Sequence, residues 1–143
     1  MYERPGRGVY VTATKTTKHG DPCVENGLAG AAIKQKAYGW GDGYSVHEAA
    51  EIAVGERFHI RTKGIHQFSI ATGTKGVGIA AATKGQAVYI RPADNTLQIE
   101  TDAVATDLPF GRVVELVADN RGVPDDHIRI DLDLKDTIRD ATT

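Results

Sequence analysis

Ile128-Arg129-Ile130-Asp131-Leu132-Asp133-Leu134 alternates apolar and charged side chains without a fault. A period of two puts every apolar residue on one side only if the backbone is extended, so the segment predicts a strand with one buried and one wet face. Such a strand needs partners, and the chain offers them. Gly8 to Thr14, Arg57 to Arg61, Gly64 to Ile70, Ala87 to Ile90, Thr96 to Glu100 and Phe110 to Val117 carry β-branched or aromatic residues, several in alternation. Asn26-Gly27 lies between Cys23-Val24-Glu25 and Leu28 to Ile33. This pair predicts a type I′ hairpin, because that turn needs φ > 0 at both central residues. Pro92-Ala93-Asp94-Asn95 predicts a second hairpin between Ala87 to Ile90 and Thr96 to Glu100.

The other segments punctuate this pattern. Gly20-Asp21-Pro22 reads as a turn. Ser45-Val46-His47-Glu48 has the form of a capping box and predicts about two helical turns through Ala53, stopped at Gly55, with a strand as the competing reading. Sixteen glycines and an aromatic share of 6% favour many turns and short strands over long packed helices. The expected architecture is mainly β: one small domain of seven to nine short strands, a barrel or a sandwich, with at most one or two short helices. Its expected organisation is a polar, flexible arm over residues 1–7, a β-rich domain over 8–134 and a polar, frayed tail over 135–143.

The totals exclude several functions. With 143 residues the chain can bury a core without metal or cross-links. A net charge of −2 gives no basic footprint for nucleic acid. No apolar run approaches a membrane span, and no charged leader precedes an apolar block. Cys23 is the single cysteine, which rules out an internal disulfide and fits synthesis in a reducing compartment.

Candidate chemistry fails on spacing. His59 and His66 sit on consecutive predicted strands and could face one another, but two imidazoles without a third ligand favour a structural role over a metal site. Asp131 and Asp133 share a predicted strand face, without the glycine turn and terminal glutamate of a calcium loop. Gly76 to Ala81 fits G-x-G-x-x-[GA], yet Lys84-Gly85 leaves no room for the helix that a dinucleotide needs. Cys23 follows Pro22 with no base nearby in sequence, and Ser45 and Ser69 lie in no nucleophile elbow. The expectation is a protein that is not an enzyme and uses no cofactor. Tyr38, Trp40 and Tyr44, on a glycine-rich stretch, are the best candidate contact patch, whether for a protein or a sugar.

The order of these pieces resembles the capsid decoration, or cement, proteins of tailed bacteriophages. The likeness runs from about Gly8 to Leu134. It is carried by Gly20-Asp21-Pro22-Cys23-Val24-Glu25-Asn26-Gly27-Leu28-Ala29-Gly30-Ala31-Ala32, by Gly55-Glu56 through Gly64-Ile65 to Phe68, by Lys84-Gly85-Gln86-Ala87-Val88-Tyr89, and by Gly111-Arg112-Val113-Val114-Glu115 with the final alternating strand. The segment Lys34 to Ala53 is longer than the family pattern. The resemblance implies a β-barrel-like or β-tulip domain, often a homotrimer. It implies binding to the major capsid protein on the outer surface of the expanded virion shell, after synthesis in the host cytoplasm. Expected contact residues are Tyr2, Arg4, Val9, Tyr10 and Val11, which would order on the shell, together with Tyr38, Trp40 and Tyr44. A carbohydrate-binding surface module and a head–tail or tail subunit are the rival expectations.

Overall fold

The computed structural model describes residues 9–34, 51–69, 79, 82–117 and 127–139. Eleven strands are present among them: β1 (Val9–Thr12), β2 (Thr17–Lys18), β3 (Pro22–Glu25), β4 (Leu28–Ile33), β5 (Glu51–Ile52), β6 (Arg57–Arg61), β7 (Ile65–Ser69), β8 (Ala87–Arg91), β9 (Thr96–Ile99), β10 (Leu108–Val117) and β11 (His127–Asp131). Short 3-10 segments occupy Glu100–Asp102 and Leu132–Thr137. The protein is mainly β, as the alternation requires. One antiparallel sheet runs β1-β6-β4-β3, a second runs β7-β11-β10-β8-β9, and β2 pairs with β5. Both larger sheets stay open, so of the barrel and the sandwich the strand order selects a sandwich-like arrangement.

Both expected hairpins form. Asn26 and Gly27 take φ of 54° and 79°, the left-handed pair that the turn between β3 and β4 demands. The second hairpin joins β8 to β9 through Asn95, also left-handed at φ 61°. Asn95 is buried, and its Oδ1 accepts the Val24 N–H at 3.1 Å, which ties this turn to β3 of the other sheet.

The β3–β4 hairpin lies between two cores. Val24, Ala29 and Ala31 face the main core, with Phe68, Val88, Ile90, Phe110, Ile128 and Ile130 of the five-stranded sheet. Cys23 and Ala32 face a second core, with Val11, Ala13, Ile52, Phe58 and Ile60. Small side chains make this possible. At Gly30 a Cβ would stand 2.2 Å from the Arg61 carbonyl oxygen and 2.9 Å from Ile60 Cγ2, so β6 crosses where no side chain fits.

Three expectations are corrected. The helix through Ala53 is absent over its described part: Glu51–Ile52 is a strand paired with Thr17–Lys18, and Ile52 is fully buried in the second core. Burial of one β-branched side chain outweighs the alanine-rich helix propensity here, and the Ser45–Glu48 box lies outside the described residues. The final strand stops at Asp131 instead of Leu134. The Asp131 carboxylate accepts the Asp133 N–H at 3.0 Å and caps a 3-10 segment, so Leu134 turns outward, 38% exposed.

The tail, finally, is packed as far as Arg139. Ile138 is buried with Ala87, Tyr89 and Ala103, and the Tyr89 hydroxyl donates to the Arg139 carbonyl at 2.7 Å. A single apolar residue among polar neighbours anchors it.

Replacing Gly30 with alanine should cost about 2–4 kcal/mol, because the clash is with backbone that cannot rotate away. Urea unfolding of Gly30→Ala is the check, and a midpoint equal to wild type would refute the close approach.

Candidate protein interface

Of the expected contact residues, Val9, Tyr10 and Val11 are described; Tyr2, Arg4, Tyr38, Trp40 and Tyr44 lie outside the described residues. All three sit on β1, an edge strand whose only described partner is β6. Alternation puts Tyr10 on one face and Val9 with Val11 on the other, and of these two only Val11, farther from the strand end, is covered. Val11 points inward at 6% exposure, so its expected place at a contact is corrected to a place in the second core. Val9 and Tyr10 are 43% and 41% exposed, large apolar surfaces for an edge strand.

Tyr10 is directly opposite His59 in the β1–β6 register, and their rings lie 4.0 Å apart between centroids at a 43° tilt. The Arg57 guanidinium rests over the Tyr10 ring, 5.4 Å from its centroid, a cation–π geometry. His59 Nε2 is buried beneath this arrangement without a hydrogen-bond partner among the described residues. The alternation of Arg57, His59 and Arg61 is visible in the sequence. That Tyr10, nearly fifty residues earlier, completes their face was not, because register between distant strands leaves no local signal.

Val9 also lines a groove of about 480 Å³ at the junction of the two sheets, with Leu28, Lys63, Leu108, Pro109 and Asp136. Lys135 closes its floor. Its ammonium donates to the Ala29 carbonyl at 2.8 Å and the Thr62 carbonyl at 3.0 Å, bridging the C-terminal 3-10 segment to the four-stranded sheet. Burial holds the Lys135 pKa below the ordinary lysine value. With its protons committed to two carbonyls, this lysine is a clamp, not a nucleophile.

The expected pairing of His59 with His66 does not occur. β6 and β7 are consecutive in the chain but belong to different sheets. His66 Nε2 is 3.2 Å from the Lys63 carbonyl and so carries the proton. His19 Nδ1 accepts the Lys34 N–H at 3.1 Å and so carries none. Both histidines have lowered pKa values, chiefly through burial, with the Arg61 charge adding to the effect.

Asp131 and Asp133, expected on one strand face, are instead joined as cap and capped residue. Among the described residues no group of three His, Cys, Asp or Glu side chains lies together as a metal site would need. Cys23 is fully buried, and burial, then the Glu25 charge, pushes its thiol up to about 12. Glu25 itself is buried and accepts both the Thr14 N–H at 2.9 Å and the Thr14 hydroxyl at 2.8 Å. No helix among the described residues is long and apolar enough to cross a membrane.

These residues make up a sandwich-like domain with an exposed aromatic edge and no assembled reactive centre among its described parts. No family model, curated protein or solved structure matches the chain.

Two outcomes follow for solution behaviour. Cys23 should resist a thiol-exchange reagent in the folded protein and react fully once urea unfolds it; fast labelling of the native state would contradict its burial. The two lowered imidazoles mean that the unfolded chain takes up protons first as pH falls below 6.5. Their contribution to stability is therefore present above that pH and is lost as pH drops through the lower folded values. Between about pH 7.5 and pH 5, the urea midpoint of His19→Asn/His66→Gln should fall less than that of wild type. The replacements keep an acceptor at the first position and a donor at the second.

Proposed function

We propose that this chain is a capsid decoration protein of a tailed bacteriophage. The observation that carries the reading is an ordered set of strings that resembles the pattern of that family. Gly20 to Ala32 spans the β3–β4 hairpin, Gly55 to Phe68 spans β6 and most of β7, Lys84 to Tyr89 leads into β8, and Gly111 to Glu115 lies in β10. The exposed edge strand β1, with Val9 and Tyr10 on its surface, adds support.

In this role the protein binds the outside of the expanded shell and ties neighbouring major capsid subunits together, with no cofactor, nucleic acid or membrane involved. As a homotrimer it engages three sites at once, so modest contacts combine through effective concentration. The residues before β1 add affinity by pairing with an exposed sheet edge on the shell.

The test is co-sedimentation of purified protein with expanded, decoration-free capsids of the parent phage, with unexpanded shells as control. Saturable binding to expanded shells, in fixed ratio to the major capsid protein, is the expected result. Failure to pellet with either shell would end the decoration reading in favour of a glycan-binding module or a tail subunit. A chain lacking residues 2–7 should fold normally and bind the shells more weakly; undiminished binding would remove the N-terminal arm from the contact.

A further inference from the structure

Arg91, Arg112 and Arg129 are held through their side chains by the protein itself. Arg91 forms a two-pronged pair with Asp107, whose side chain is fully buried, with both contacts at 3.0 Å. Arg129 bonds Glu115 at 2.9 Å and Gln67 at 3.2 Å, forming a closed polar ladder across β10, β11 and β7. Arg112 bonds the Thr137 hydroxyl and the Gly85 carbonyl. Arg57 and Arg61 differ. Both are exposed, and neither has an acidic partner within 4 Å among the described residues.

They share one face of β6 with His59, at alternate positions. At about 3.3 Å per residue the two arginine Cα atoms stand roughly 13 Å apart. Tyr10 lies against His59 between them, with Arg57 over its ring. The same patch extends toward the second sheet, since the Arg61 charge acts on both His19 and His66. A chain of net charge −2 thus carries a cationic stripe around an exposed aromatic ring, with no acidic partner to it among the described residues.

We infer that the exposed continuation, across β6 and β1, of the sheet face that covers the main core, formed by Arg57, His59, Arg61 and Tyr10, is a docking surface for an extended acidic polypeptide segment. On the decoration reading, on which this assignment of partner rests, the segment belongs to a shell subunit.

Three features of the face define that ligand. Its two guanidinium groups lie four residues apart on one strand face, so acidic residues four apart in an extended partner segment meet both in register. Guanidinium groups are weakly hydrated and pair with carboxylates through two parallel hydrogen bonds, which makes arginine suited to an interface. Tyrosine and arginine together are the residues that most often anchor protein contacts. A nucleic acid fits less well, because the stripe is short and exposed Glu51 lies just ahead of β6 in a chain that is negative overall.

The test uses the whole protein and a fluorescein-labelled peptide of about ten residues alternating glutamate and serine, followed by anisotropy at low ionic strength. Controls are the same peptide with glutamine for glutamate and an oligothymidylate of equal charge. The glutamate peptide should bind and be released by salt, and the glutamine peptide should not bind. Arg57→Gln/Arg61→Gln should weaken binding about tenfold or more. Lys84→Gln/Arg139→Gln, which removes the same charge elsewhere, should leave it unchanged.

Absence of glutamate-peptide binding would overturn the inference. So would equal losses in the two double variants, or tighter binding of the oligothymidylate. The peptide assay contains no shells, so its result stands whether or not the protein sediments with capsids, and the two readings fail separately.

Discussion

The fold depends on one strand being thin enough to be covered on both sides. β4 reads Leu28-Ala29-Gly30-Ala31-Ala32-Ile33, and its centre is buried against the five-stranded sheet on one face and the second core on the other. Sheets normally pack about 10 Å apart with side chains filling the gap. Here Ala29, Ala31 and Ala32 supply the small side chains on the two faces of β4, and at Gly30 the Arg61 carbonyl of β6 stands where a Cβ would be. A larger residue on either face would separate one of the two cores. Everything placed by β6, including the surface that carries Tyr10, Arg57 and Arg61, inherits its position from this packing.

Polar contacts fix the relation between the layers. Asn95 reaches from the β8–β9 turn to Val24, and Lys135 reaches from the 3-10 segment to the carbonyls of Ala29 and Thr62. Both terminate on the backbone, so they constrain the separation of the sheets whatever side chains lie between. Asp107 does comparable work within one sheet. Its buried carboxylate holds Arg91 of β8 and the Val104 N–H, which raises the Arg91 pKa and braces the loop entering β10. The apolar core and these hydrogen-bonded buried groups, Asn95 and Asp107, together specify one arrangement of two open sheets.

Much of this was legible in the sequence where the signal is local. Asn26-Gly27 marked its hairpin, and the alternation in β6 and β11 identified their buried faces, because both depend on adjacent residues. Ile52 was misread because a short alanine-rich run suits a helix until a distant core claims its one large side chain. Ile138 was overlooked for the same reason: a lone apolar residue has no period. The approach of Tyr10 to His59 depends on which strands pair, and the separation of His59 from His66 depends on which sheet each strand enters. Neither is written in any window of the sequence. The aromatic stretch around Trp40 lies outside the described residues.

The strand order of the five-stranded sheet has a consequence for how the molecule is made. β11, last of the strands, lies between β7 and β10, so it joins segments that precede it by roughly sixty and fifteen residues. Until Asp131 has been synthesised, β7 has no described partner and β10 lacks one of its two. A nascent or prematurely ended chain therefore exposes the unpaired backbone edges of β7 and β10, each open to pairing with another molecule. The gap between them closes only when the insert arrives and the capped turn behind it locks on Ala29 and Thr62. Completion is thus nearly all-or-none, and quality control during synthesis falls on the interval before that single strand is in place.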